Sequence, residues 1–247
     1  MRAGAPRLAV IEHATHCPPA RLDEWWGPLA LDITVHRPYL GDALPPVTSF
    51  DGVVVLGGPM GANDDEQHGW LAPLKDLVRE SVESRIPVLG ICLGHQLVAT
   101  ALGGTVGVNP RGQAIGLRQV GWTPRAASDP LLGPLAHGPV RAVQWNDDIV
   151  TALPDGAVAL ATTPDGDLQA ARFSPLTWGV QFHPEADRGL VARWAELDAE
   201  RHARQGVDQG RVLDEIDRAH AELGETWRQL VRAFVEVVAA QATEAVR

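Results

Sequence analysis

Cysteine is scarce in this chain: Cys17 and Cys92 are the only two among 247 residues. That number supports no disulfide framework and makes a reducing compartment the default. Long apolar runs are missing too, with none near the ~18 residues that a membrane-spanning helix needs. Met1 to Arg7 passes through Gly4 and Pro6 straight into an apolar strand, without the hydrophobic segment or small-residue cleavage site of a secretory leader. A cytoplasmic protein is therefore expected. Positive charge is also short: 21 Lys and Arg stand against 31 Asp and Glu, a formal net charge of −10. Nucleic acid and anionic membrane surfaces call for a basic face, so neither is expected as a partner, whereas small molecules and proteins are. No Walker-type phosphate loop, internal repeat or low-complexity segment is present.

What remains is ordinary globular material, 45% hydrophobic and 21% charged, and enough chain to bury a good core. Apolar runs at Leu8–Ile11, Ile33/Val35 and Phe50–Leu56 read as strands, the last central and buried on both faces. Between them, residues 20–29 and 70–84 carry helical periodicity. Such alternation predicts an α/β fold: a doubly wound, mainly parallel sheet with helices on both faces, whose ligands bind at the carboxyl ends of the strands. From Thr105 to Val180 short apolar runs split by Pro and Gly predict a β-rich half, antiparallel or mixed strands continuing the sheet, with a helix near Leu131 to Ala136. From Asp187 to Arg247 the pattern is helical and charge-laced, broken near Gly206 and Gly210. The expected organisation is a domain over residues 1–190 and a helical C-terminal extension over 191–247, packed on that domain or on a partner.

The chemistry centres on Ile86-Pro87-Val88-Leu89-Gly90-Ile91-Cys92-Leu93-Gly94-His95-Gln96-Leu97. A buried strand meets a cysteine and then a helix, with Gly90 and Gly94 two residues to either side. Taken alone, Cys92 reads as an inert core residue. The flanking glycines turn it into a nucleophile elbow with cysteine in place of serine, because a strained strand-to-helix turn leaves no room for bulky neighbours. There the following helix's N-terminus favours a thiolate. A cysteine nucleophile needs a base and a group to orient that base. The apolar strand ending Gln181-Phe182-His183-Pro184-Glu185 offers His183 as base and Glu185 as its orienter. Gly57-Gly58-Pro59 ends another strand and allows close backbone approach. His13, His16 and Cys17 lie together after the first strand, but no fourth ligand or second cluster accompanies them. No metal and no cofactor is expected, and a loop beside the active site is the reading.

Three separated motifs in this order resemble the class I (triad-type) glutamine amidotransferases: Gly90-Ile91-Cys92-Leu93-Gly94-His95-Gln96, Gly57-Gly58-Pro59 and Gly179-Val180-Gln181-Phe182-His183-Pro184-Glu185. The resemblance covers about Leu8 to Trp194, nearest to stand-alone domains similar to the glutaminase part of GMP synthase. It implies a flavodoxin-like fold and a Cys92–His183–Glu185 triad. It also implies an oxyanion hole from the backbone N–H groups of Gly58 and Leu93, and substrate contact by Gln96. The segment that binds glutamine's α-amino and α-carboxylate groups would be Trp145-Asn146-Asp147-Asp148. Here Asp147 stands in place of a family glycine, putting negative charge where a carboxylate binds, and Ala114 replaces a glutamate that often precedes Ile-Gly.

Three functions follow as expectations. The first is a glutamine amidohydrolase: it forms a Cys92 thioester and supplies ammonia to a separate synthetase subunit, since the chain has no room for a synthetase domain. A second keeps the triad but acts on another γ-glutamyl amide or peptide, where Asp147 and Asp148 suit a cationic amine. The third is a non-catalytic binding or regulatory protein. The oligomeric state is not read from the sequence.

Overall fold

A computed structural model describes residues 4–244. The first three residues of the expected leader-free N-terminus and the last three of the expected helical segment lie outside the described residues. The strands are β1 (Arg7–Ile11), β2 (Asp32–His36), β3 (Gly52–Val55), β4 (Val88–Ile91), β5 (Thr105–Val108), β6 (Ala114–Val120), β7 (Val140–Asn146), β8 (Asp148–Ala152), β9 (Val158–Thr162), β10 (Leu168–Ser174) and β11 (Thr177–Val180). The helices are α1 (Arg21–Trp26), α2 (Leu71–Glu83), α3 (Leu93–Ala101), α4 (Arg188–Leu197), α5 (Ala199–Gln205), α6 (Gln209–Arg218) and α7 (His220–Glu244).

Seven strands form the central sheet in the order β2-β1-β3-β4-β11-β10-β9. The first five run parallel; β10 adds antiparallel to β11, and β9 antiparallel to β10. Successive strand residues face opposite sides, and the core divides accordingly. Leu8, Val10, Val54 and Leu56 pack with Leu22, Trp25, Trp26, Trp194, Trp227 and Phe234 on one face. Ala9, Ile11, Val53 and Val55 pack with Leu71, Leu74, Leu97 and Val98 on the other. The expected mainly parallel, flavodoxin-like sheet with helices on both faces is the observed architecture.

Two expectations need correction. The β-rich half does not simply extend the sheet, because β5 pairs with β8, and β6 with β7, as separate two-stranded ribbons. Short apolar runs such as residues 140–145 have the length of sheet strands, so run length alone does not tell a ribbon from an extended sheet. Near Leu131 to Ala136 there is a single 3₁₀ turn, Gly133–Leu135, with Pro134 at its start. The C-terminal segment packs on the domain itself: Trp227, Leu230, Phe234 and Val238 of α7 join the core on the α1 side of the sheet.

Candidate active site

Cys92 sits between β4 and α3 with φ 51°, a left-handed conformation unusual for a residue with a side chain. The turn is held from both strands. Its N–H donates to Val180 O of β11 at 2.8 Å, and Gly94 N–H donates to Leu56 O at 3.2 Å. A Cβ on Gly94 would overlap the Val55 carbonyl, and one on Gly90 would press into the Gly94 backbone. The glycine spacing read in the sequence is thus a packing requirement of the elbow.

β11 lies next to β4, with Val180 opposite Ile91, so the residues that follow it come up beside Cys92. His183 Nδ1 hydrogen-bonds Glu185 Oε1 at 2.7 Å. Since the carboxylate accepts, Nδ1 carries a proton, and Nε2 is the nitrogen left to exchange one. Nε2 is enclosed and without a partner, as is Glu185 Oε2. Gly57 separates the two reactive side chains: a Cβ there would lie 3.1 Å from His183 Cε1 and 3.6 Å from Cys92 Cβ. Burial on its own would push the imidazole's pKa down, but Cys92 and Glu185 together hold it well above the ordinary histidine value. Its ring also packs at a tilt against Trp194 of α4, centroids 4.6 Å apart, and Trp194 Nε1 donates to His16 O at 2.7 Å.

A cavity of about 390 Å³ opens over Cys92. Gly58, Gln96, Trp145, Asn146, Asp147 and Asp148, all singled out in the sequence, line it with Cys92 and His183. Leu93 is not among its lining residues, but it opens α3 directly after Cys92. Neither Gly58 nor Leu93 donates its N–H to a backbone carbonyl among the described residues. Gln96 Nε2 donates to Asp148 O at 2.9 Å and to Gln181 Oε1 at 3.2 Å. Asn146 Nδ2 also donates to Asp148 O, at 3.0 Å, while its buried Oδ1 has no partner. Burial, then Asp147 and Asp64, raise the Asp148 carboxyl above the usual carboxylate range.

The expected excess charge at Asp147 is corrected by a partner. Arg201 of α5 grips both Asp147 oxygens, one at 2.8 Å through Nη1. Arg201 lies 54 residues away, so sequence reading had no local signal for it. Ala114 begins β6 and pairs with Asn146 across the ribbon. Gln181, which the His183 motif contains without a role, sits with Nε2 3.6 Å from Cys92 Sγ.

His16 and Cys17 line the cavity, as the loop reading expected. Burial first, then Cys92, Glu185 and Glu12, push the Cys17 thiol's pKa far up, so Cys17 stays protonated beside the cavity. His13 is buried, accepts from Trp70 Nε1 at 3.1 Å, and is held neutral with a pKa lowered to about 3, by burial and then His68. Among the described residues no group of three or more His, Cys, Asp or Glu side chains is placed to hold a metal ion, and no helix is long and apolar enough to cross a membrane.

An open parallel sheet with a cysteine at its elbow and a histidine–carboxylate pair ending the adjoining strand defines a class, the amidotransferase-type α/β proteins. The family model described as "Glutamine amidotransferase class-I" matches residues 30–191, and the chain belongs to that family. It is 29% identical over 228 residues to the glutamine amidotransferase-like protein YfeJ of Salmonella typhimurium, covering 81% of this chain and 92% of that one. It is 38% identical over 145 residues to a glutamine-hydrolyzing GMP synthase subunit of Natronomonas pharaonis, covering 58% and 71%. A solved glutamine amidotransferase from Thermotoga maritima superposes with TM-score 0.84 at 26% identity, over 94% of this chain and 98% of that one.

Proposed function

We propose that this chain hydrolyses the side-chain amide of glutamine through a Cys92 thioester and hands the ammonia to a separate synthetase subunit. The observation that carries this reading is the His183 imidazole, which has one nitrogen bound to Glu185 and the other free beside the elbow cysteine. In the first step Cys92 Sγ, its proton taken by His183, bonds to the amide carbon of glutamine. The oxyanion that forms lies against the N–H groups of Gly58 and Leu93. The loss of one such donor typically costs about 3–4 kcal/mol of transition-state stabilisation. His183 then gives its proton to the departing nitrogen, the C–N bond breaks, and ammonia leaves a γ-glutamyl thioester. Water, deprotonated by His183, attacks the thioester, and glutamate leaves as Cys92 is restored.

Arg201 bears on the choice of substrate. With Asp147 neutralised by a guanidinium, the lip of the cavity tolerates the α-carboxylate of an amino acid, while the Asp148 carboxylate and the open Asn146 Oδ1 offer acceptors for its α-ammonium. That charge arrangement favours glutamine over a γ-glutamyl conjugate of a cationic amine, although the amidohydrolase chemistry of both is the same. The relative from Natronomonas pharaonis, itself one subunit of a synthase, supports the reading in which a second subunit takes the ammonia.

Intact mass after incubation with a diazo-ketone analogue of glutamine tests this. One adduct is expected on the wild type and none on Cys92→Ala, with Cys17 unmodified in both because its thiol is held protonated. Glutaminase activity, measured with and without candidate synthetase subunits, should vanish in Cys92→Ala. If Cys92 reacts with a small haloacetamide but not with the glutamine analogue, glutamine is the wrong substrate.

A further inference from the structure

A second feature lies outside the cavity around Cys92, on the sheet face where α1 meets α7. Arg21 opens α1 and is only 5% exposed. Its guanidinium seats against Gly224, inside the 25-residue helix α7, where a Cβ would overlap Nη2. Glycine inside a helix is less stable than alanine, so α7 gives up stability at the spot where the guanidinium rests. Nη1 donates to His220 O at 3.2 Å, and the group lies over the Trp25 ring at 5.0 Å. Nε is enclosed and has no partner. No carboxylate forms an ion pair with Arg21 among the described residues; Glu24 and Asp187 act on it only through space, and Arg228 opposes it as a like charge. Arginine does not lose its proton in a protein, and a buried charge without a counter-ion is strongly disfavoured.

The missing counter-ion has a place to sit. Arg21, His220, Glu225, Arg228, Gln229 and Arg232 line a cleft of about 690 Å³. Gly224, Arg228 and Arg232 follow at four-residue intervals and share one face of α7. Arg228 and Arg232 are exposed and form no ion pair among the described residues. Among the lining residues three guanidinium groups stand against the single Glu225 carboxylate, an excess of two positive charges, with Glu24 and Asp187 acting on Arg21 from outside the cleft, on a chain whose net charge is −10.

We propose that this cleft binds a phosphate-bearing small molecule. The planar guanidinium fork matches two phosphate oxygens at once, and a phosphate carries about −1.5 to −2 charges at neutral pH, close to the excess present. Arg21 takes the inner oxygens, and Arg228 and Arg232 the outer ones. The cleft shares no lining residue with the Cys92 cavity, so the proposal stands apart from the amidohydrolase reading.

Calorimetric titration of the full chain at low ionic strength, with inorganic phosphate, glycerol 3-phosphate and acetate, tests it. The expected result is saturable one-to-one binding of phosphate or its ester, weakened about 10-fold or more, or 1.4 kcal/mol, in the double variant Arg228→Ala/Arg232→Ala. Both positions are exposed, so that variant folds even if Arg21→Gln does not. Arg204→Ala, on the exposed surface of α5, should bind like wild type. Tighter binding of the ester marks a phosphorylated metabolite, and of phosphate the free ion; either supports the site. Absence of saturable binding, the same affinity in the double variant, or acetate binding as tightly as phosphate overturns it.

Discussion

His183 is buried, and burial alone would leave it neutral; Cys92 and Glu185 reverse that and keep its proton on to a higher pH than usual. Because the folded pKa is raised, the native state holds a proton that the unfolded chain has lost above about pH 6.5. Stability from this group is therefore complete below that pH and falls as pH rises through the folded value. In Glu185→Gln the imidazole should titrate at lower pH by NMR, with a smaller alkaline loss of stability and a lower kcat. His183→Asn should cost about 10²–10⁴ in kcat, the usual worth of a positioned acid–base group, with unchanged fold by circular dichroism. On the proposed function, Arg201 bears on substrate rather than on stability. Its pair with Asp147 is 35% and 46% exposed, a surface arrangement worth about 1 kcal/mol or less. Arg201→Ala should raise KM for glutamine several-fold with little change in Tm, and Arg201→Ala/Asp147→Gly should restore KM.

The elbow is the element on which sequence and structure agree most closely, because its signal is local. Gly90 and Gly94 are two residues from Cys92, and both are needed where backbone meets backbone. Gly94→Ala pushes a methyl into the Val55 carbonyl, so its expected outcome is loss of soluble protein on expression, or a Tm lowered by many degrees. Strands β1, β3 and β4 were legible for a related reason: strands buried on both faces read as unbroken apolar runs. Strand β8 was not, since Asp148 opens it directly after the polar Asn146-Asp147 and its apolar stretch is only Ile149-Val150. Arg201 and the contact of Gln181 with Cys92 depend on pairing across 54 and 89 positions, which periodicity cannot register. The helical stripes of the C-terminal segment were visible, but not which surface they cover. Trp227 and Phe234 supply the answer by entering the core beneath α1, and Trp227→Ala should cost about 3–5 kcal/mol in chemical denaturation.

For the whole molecule, two other histidines set the acid limit. His13 and His95 are fully enclosed and held neutral with pKa values lowered to about 3; burial dominates in both, with His68 adding to it at His13 and the Gly179 backbone, an acceptor that favours the charged ring, opposing it at His95. Here the sign is opposite to that of His183: below about pH 6.5 the unfolded chain gains protons that the native one refuses. Each should remove up to about 1.4 kcal/mol of stability per pH unit as pH falls from there toward 3. Denaturation curves across that range check this, and His95→Phe, set against Phe173, should flatten the slope if its ring fits. The central sheet carries one more consequence. Cys92 N–H is tied to Val180 O of the central sheet, and His183 N–H to Val143 O of the β6–β7 ribbon, each at 2.8 Å, so both residues are clamped by neighbouring strands rather than carried on free loops. In deuterated solvent these two amides should be among the last to exchange, the first opening only when the sheet comes apart and the second when the ribbon leaves it. The working pair then has no off position of its own, and heat should extinguish turnover and melt the sheet in a single event.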